Sequence, residues 1–272
     1  MAEDMEIVCV GNELLIGKTV NTNAKWIAEQ ATAMGITVKR VTVVADDVNE
    51  IATVIRESIG REPQFLITTG GLGPTFDDKT LEGIAEALNR ELAINTEAAK
   101  MVKEKYEAYA MEKGVTPVEL TQARYKMANF PEKAKAIPNP VGTAPAVRLD
   151  LEKTVLIALP GVPSEMKAIY KENLSPMLRQ VSNGSSFYEE SICIDGVMES
   201  SLAPLIEMVM RDNLGVYVKS HPKGRESKPR IEVHFSITER NDKVTKEKLR
   251  KAMTQLSSLV REVGAKSKFP SD

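Results

Sequence analysis

Residues Thr68–Thr80 read TTGGLGPTFDDKT, and within thirteen residues they hold a strand end, a glycine turn, two adjacent carboxylates and a helix start. The run Phe65-Leu66-Ile67-Thr68-Thr69 just upstream is apolar and β-branched, the pattern of a strand covered on both faces. Gly70-Gly71-Leu72-Gly73 ends it. Leu81, Ile84, Ala85 and Leu88 then recur at helical spacing and predict a helix from near Asp78, with an aspartate to cap it. A glycine turn running from strand to helix suits a phosphate, because bare backbone N–H groups and the helix N-terminus both face the ligand. The turn has neither the lysine of GxxxxGK[ST] nor the spacing of GxGxxG. It carries Asp77 and Asp78 instead, which would repel a bare phosphate. They fit one that arrives with a divalent cation, or a substrate proton to be moved; capping alone would also explain them.

Outward from this turn, strand and helix patterns alternate. Ile7–Val10 reads as a strand ending at Gly11, Thr22–Met34 as a helix capped by Asn21-Thr22-Asn23, and Thr37–Val44 as a strand. Val48 to Ile59 reads as a helix leading into the Phe65 strand. This order predicts a parallel sheet with helices on both faces, whose ligands bind beyond the carboxyl ends of the strands. Gly11-Asn12-Glu13, Asp46-Asp47 and the Gly70 turn are three such ends, all acidic. Thr96 to Met127 is expected to be helical, interrupted at Gly114–Pro117, with Met101, Val102, Tyr106 and Tyr109 facing the core. Phe130–Pro145 reads as a loop, and Ala146–Leu149 and Thr154–Leu159 as strands. Pro160-Gly161-Val162-Pro163 forms a fourth strand-end turn, with Ser164 and Glu165 opening a helix. Around Val181–Ser186 a small polar segment marks a boundary, giving domains 1–182 and 183–272. The second follows a strand, helix, strand, strand, helix pattern, a small α+β unit with a frayed end.

The 272 residues are 42% hydrophobic and 27% charged, with a formal net charge of -2, enough for a full core and with no general attraction to nucleic acid or anionic membrane. Cys9 and Cys193 lack CxxC spacing, so neither a disulfide framework nor a zinc site is indicated, and a cytoplasmic location fits. The N-terminal apolar run is too short for a signal peptide or a membrane span. Lys219, Lys223, Arg225, Lys228 and Arg230 make a basic loop that reads as a solvated hairpin tip. His221 and His234 lie on different elements, which argues against a two-histidine metal site or a Ser/His/Asp triad.

Together TTGGLGPTFDDKT, the Asn139–Pro145 loop (NPVGTAP) and Leu159–Met166 (LPGVPSEM) resemble the molybdopterin-binding superfamily, and the opening GNELLIGKTVNTNAKWIAEQ narrows this to its CinA-type branch. Four motifs in order cover Met5 to Gln180, and the tail from Phe187 also looks CinA-type. Full-length bacterial members continue into a nicotinamide mononucleotide deamidase domain, which this chain does not reach, so that activity is not carried over. The resemblance implies a three-layer α/β/α sheet domain with a strand-end pocket, followed by a smaller α+β domain, in a homodimer. It implies catalytic roles for Asp78 and Asp46, and a divalent metal (Mg, Mn or Co) on Asp46, Asp77 and Asp78. Around these, substrate would be bound by Gly11, Asn12, Glu13, Thr69, Gly70, Gly71, Gly73, Pro74 and Thr75, by Asn139, Gly142, Ala144 and Pro145, and by Pro160, Gly161, Pro163 and Glu165. The leading expectation is metal-dependent hydrolysis of a nucleotide pyrophosphate of the ADP-ribose type. The alternative is a molybdopterin-binding or adenylating protein with the pterin as ligand. A third reading, a nucleic-acid module acting through the basic loop, is weakened by the net charge and by the lack of an aromatic platform.

Overall fold

In a computed structural model of the protein, residues 3–114, 119–182, 184–223, 230–240 and 242–269 are described. Residues 115–117 of the expected helix interruption, Asn183, Arg225 and Lys228 of the basic loop, and the last three residues lie outside them. The chain forms two compact units, Met1–Thr32 with Ile36–Ser182, and Ala33–Gly35 with Asn183–Asp272.

The first unit begins with β1 (Asp4–Val10), a short α1 (Asn12–Leu15), α2 (Thr22–Ala33), β2 (Thr37–Val44), α3 (Val48–Gly60) and β3 (Phe65–Thr69). It continues with α4 (Thr80–Leu88), β4 (Leu92–Ile94), α5 (Thr96–Lys113), α6 (Gln122–Lys126), β5 (Asn129–Pro131), β6 (Lys135–Ile137), β7 (Ala146–Asp150) and β8 (Val155–Leu159). A last helix runs as α7 (Pro163–Ile169), a π-helical turn (Tyr170–Leu174) and α8 (Ser175–Val181). The sheet order is β2-β1-β3-β8-β7-β6. Pairs β1–β2, β1–β3 and β3–β8 are parallel, whereas β7–β8 and β6–β7 are antiparallel. The sheet is therefore parallel-dominated but mixed, because the hairpin at Leu151–Thr154 reverses the chain without a crossover helix.

Every residue of β3 is buried, as a central strand between two helical layers must be. Val8, Val10, Leu66, Leu156 and Ala158 pack with Ile51 and Ile55 of α3, Leu81 and Ile84 of α4, and Val102 of α5. Ile7, Cys9, Phe65, Ile67 and Leu159 alternate with them and are buried too, which sets them toward the opposite layer of α2 and α7. There Trp26 meets Tyr170 edge to face at 5.1 Å.

Three expectations are corrected here. The helix after the glycine turn starts at Thr80, with Lys79 as its cap residue and no side-chain cap bond, so Asp78 does not cap it. Phe130–Pro145 is not all loop: Phe130 and Pro131 pair with β4, and β6 is one edge of the six-stranded sheet. Tyr109 is 54% exposed while Val102 is buried, so the inward face of α5 does not extend to Tyr109.

The second unit comprises β9 (Ser186–Asp195), α9 (Glu199–Asp212), β10 (Tyr217–Pro222), β11 (Arg230–Glu239), α10 (Asp242–Glu262) and β12 (Lys266–Lys268). Its sheet order β10-β11-β9-β12, with all pairs antiparallel, is the split βαβ arrangement. Ile192, Val233 and Phe235 form its core with Leu202 and Val209 of α9 and Leu249 and Leu256 of α10.

Candidate functional site

The ends of β1, β2, β3 and β8 open onto one cavity of about 580 Å³. At its centre Gly70 and Gly71 adopt positive φ of 102° and 64°. These glycines are required by the protein's own packing. A Cβ on Gly70 would lie 2.2 Å from the Val10 carbonyl oxygen, and one on Gly71 would lie 2.3 Å from Thr80 Oγ1. Thr80, fully buried, donates its hydroxyl to Gly70 O at 2.8 Å, and its N–H reaches Gly71 O at 3.2 Å. The first residue of α4 thus locks the turn against the helix. Gly161, beyond β8, comes so near that its Cβ would sit 3.3 Å from Gly70 Cα, and Asn23 Nδ2 donates to Gly161 O at 2.8 Å.

The two aspartate pairs divide differently. Asp47 caps α3, accepting from Asn49 N and Glu50 N at 2.9 and 3.1 Å, whereas Asp46 faces the cavity and accepts Asn12 N at 2.7 Å. Asp77 and Asp78 both line the cavity and both meet Thr75. Asp78 Oδ2 accepts Thr75 N at 2.8 Å and lies 2.5 Å from Thr75 Oγ1, which also contacts Asp77 Oδ1. One hydroxyl proton serves one carboxylate at a time, so Asp78 keeps the N–H bond while the hydroxyl turns to Asp77. That hydroxyl, Asp77's own backbone N–H and the charges of Lys126 and Lys79 hold the Asp77 carboxyl below its ordinary range. Lys126 Nζ donates to Thr75 O at 2.6 Å, bracing the same loop.

On the β8 side Asn139 is buried and every site on its amide is used. Oδ1 accepts Val141 N at 3.1 Å and Gly142 N at 2.8 Å, while Nδ2 donates to Ala144 O at 2.9 Å and Glu165 Oε2 at 2.7 Å.

Gly11, Glu13, Thr69, Gly73, Pro74, Ala144, Pro160, Gly161, Pro163 and Glu165 line the cavity along with the central turn and the three aspartates. Asn12, Thr75, Asn139 and Gly142 stand behind that wall, each holding or crowding a residue that lines it; Pro145 is not part of the lining. Residues not singled out from sequence also line it, among them Asn21 and Asn23 of the α2 start, Tyr106, Met127 and Val162. Asn21 and Asn23 were legible only as helix caps, and Asn21 Oδ1 does cap Ala24 N at 3.0 Å. Tyr106, expected from its spacing to face the core, is half-buried against it and also lines the cavity; nothing local in the sequence marks Met127.

Five carboxylates, of Glu13, Asp46, Asp77, Asp78 and Glu165, line the cavity, and no lysine, arginine or histidine does so among the described residues. Among those residues, no three His, Cys, Asp or Glu side chains come together where they could hold a metal. A cation here would have to share its coordination with a ligand's phosphates, as Mg²⁺ commonly does. In the second unit, His221 and His234 stand on neighbouring strands with ring centroids 4.8 Å apart, closer than their sequence positions suggest, but they too belong to no such group. No described helix is long and apolar enough to cross a membrane.

Residues 6–180 match the model of a probable molybdopterin-binding domain. A protein of Metallosphaera sedula is 44% identical over 260 residues, 95% of each chain, and one of Caldivirga maquilingensis is 46% identical over 259 residues, 94% of this chain and 96% of that one. The crystal structure of CinA, described as of unknown function, from Thermoplasma acidophilum is 40% identical, with a TM-score of 0.58, and the match covers 65% of this chain and 98% of that one. The chain belongs to the molybdopterin-binding domain family and is of its CinA type.

Proposed function

We propose that the strand-end cavity binds a phosphorylated pterin of the molybdopterin type. The observation that carries this reading is the Gly70–Gly71 turn, locked by Thr80 and facing the cavity of a molybdopterin-binding domain. Gly70 N–H is taken by Leu159 O and Thr80 N–H by Gly71 O, so the backbone N–H groups that would hold the phosphate are those from Gly71 to Gly73. Because the wall is acidic, the phosphate would enter with a divalent cation held by one or two of Asp46, Asp77 and Asp78; the cation would offset the charge of phosphate and carboxylates. Asp46, fixed by Asn12 N–H, and Asp78, fixed by Thr75 N–H, would keep free oxygens for that contact.

Hydrolysis of an ADP-ribose-type pyrophosphate ranks second. The acidic wall favours it, since a pyrophosphate would also bring a cation, but the described side chains assemble no metal centre of their own. Calorimetry with a pterin phosphate, ADP-ribose and FAD, with and without Mg²⁺, separates the two. Saturable, Mg²⁺-strengthened pterin phosphate binding without ADP-ribose turnover is expected. Metal-dependent turnover of ADP-ribose with no pterin binding would reverse the order. A homodimer is the proposed state, as the commonest closed symmetry; sedimentation at the mass of one 29.9 kDa chain would overturn it.

A further inference from the structure

Glu165 differs from the other carboxylates of the cavity. Asp46, Asp77 and Asp78 are held through backbone N–H groups, with the Thr75 hydroxyl shared between the last two, whereas Glu165 is held by a buried side-chain amide, that of Asn139, on the adjoining loop that leads into β7. Asn139 Nδ2 donates to Oε2 at 2.7 Å, and Gly142 packs so closely that a Cβ there would fall 2.0 Å from Glu165 Cδ. The Asn139 amide cannot turn over, because Oδ1 is engaged by two backbone N–H groups and Nδ2 by Ala144 O as well. Immobilising a glutamate costs rotamer entropy that an ordinary surface glutamate keeps. Among the described residues no cation offsets this, since no Lys, Arg or His pairs with Glu165. Of the roughly four lone-pair directions of a carboxylate, one is used. The rest are open to the solvent or the ligand of the cavity, since no basic side chain on the described wall meets them.

Position says what the donor belongs to. In the order β2-β1-β3-β8 the glycine turn follows β3, between the β2 end that carries Asp46 and the β8 end that leads to Glu165, and three strand spacings separate those two strands by about 14 Å. A phosphate at the glycine turn leaves its ring to lie toward one end. The wall near Asp46 is mixed, with Glu13 and Thr19 beside Val10, Leu14 and Val20. Near the Glu165 end, Val162, Pro163 and Ala144 line the wall. Lys105 Nζ donates to Pro140 O at 2.9 Å, which sets α5, the helix of Tyr106, against the loop that grips Glu165.

We propose that Glu165, held by its positioning residue Asn139, accepts the adjacent N–H and NH₂ donors on the amino-pyrimidinone edge of the bound ring and so selects pterin- and guanine-type rings over adenine-type ones. This rests on the reading of the cavity as a site for phosphorylated pterins. An adenine edge presents one amino donor beside a ring-nitrogen lone pair, which would face the carboxylate. A site built for paired donors rejects such a ring, because a ring seated on the half-buried Glu165 would displace its water and leave the charged acceptor unmet.

The test titrates a pterin phosphate, GMP and AMP, each with Mg²⁺, into the parent protein, Glu165→Gln and Asn139→Ala, with melting temperatures recorded. The parent is expected to prefer GMP over AMP by about tenfold or more. Glu165→Gln, which exposes one donor and one acceptor, should bring that ratio close to one with little change in melting temperature. Asn139→Ala should lower the ratio in part, even if it lowers stability too. A purely structural clamp would weaken GMP and AMP alike and leave the ratio unmoved; that result overturns the inference. Equal parental affinity for GMP and AMP, with the pterin phosphate still bound, would overturn it while leaving the pterin reading intact. Failure of the parent to bind any of the three would defeat both.

Discussion

Thr80 decides whether the glycine turn holds its shape. Its hydroxyl serves the buried Gly70 carbonyl from within the first turn of α4, and among the described residues no other side chain bonds that carbonyl. Thr80→Val keeps the volume but leaves the carbonyl unmet, a cost of roughly 1–3 kcal/mol. Thr80→Ser keeps the hydroxyl and should recover most of the loss. Chemical denaturation of the two variants checks the stability, and pterin phosphate affinity checks the turn: Val should weaken it, Ser should not. Equal behaviour of both would mean that the hydroxyl does nothing. The sequence showed the glycines, the doublets Asp46-Asp47 and Asp77-Asp78, and Glu165, but not how each doublet divides its work. Either aspartate of a pair can cap a helix, and the choice of Asp47 over Asp46 depends on where Asn12 N–H lies, a contact 34 residues away in the chain.

Among elements, strong periodicity was legible and short strands were not. β2 and β3 match their β-branched runs, and α3 and α4 match their apolar spacing. β4, β5 and β6 are three residues each, too short for alternation to register, and β5 ends at a proline that marks a loop as readily as an edge. β7 was legible as a strand, but its antiparallel direction was not, because local sequence carries no strand direction. A second long-range device, also silent in sequence, joins β1 to the end of α3: Glu6, with 4% of its side chain exposed, accepts Arg61 Nε at 2.8 Å and Nη2 at 2.7 Å. Burial pushes the Glu6 carboxyl up, but the hydrogen bonds and charge of Arg61, with Ser58 and Arg40, outweigh it and hold the group below its ordinary value. A carboxyl lowered by folding stabilises the native state above its unfolded pKa and loses that contribution as pH falls through the folded one. Glu6→Gln should therefore cost stability at neutral pH, about 2–3 kcal/mol, less than the 3–5 of a fully enclosed pair because Arg61 is 34% exposed. It should also flatten the acid limb of the stability profile. An unchanged acid limb in denaturation series from pH 7 downward would show that the pair does not set it.

Across the whole molecule, charge is distributed against a polyanion site. The net charge is -2, the cavity wall is acidic, and the basic stretch of the second unit is partly spoken for. Lys223 Nζ lies 3.3 Å from Glu232, and Arg230 Nε lies 3.9 Å from Asp195, both inside that unit. Exposed pairs of this kind contribute about 0–1 kcal/mol, so removing them should barely move the melting temperature. The double variant Lys223→Ala, Arg230→Ala should bind a pterin phosphate within about threefold of the parent, because the described residues that line the cavity all belong to the first unit. A nucleic-acid site would behave differently: affinity for an oligonucleotide would fall by about one power of salt concentration for each phosphate neutralised, and the double variant would lose close to two of those powers. Titrating a single-stranded oligonucleotide and the pterin phosphate at several salt concentrations puts both on one scale. The expected result is shallow, weak oligonucleotide binding that the substitutions hardly alter. Steep salt dependence in the parent, reduced in the variant, would make the second unit a nucleic-acid binder alongside the small-molecule cavity of the first.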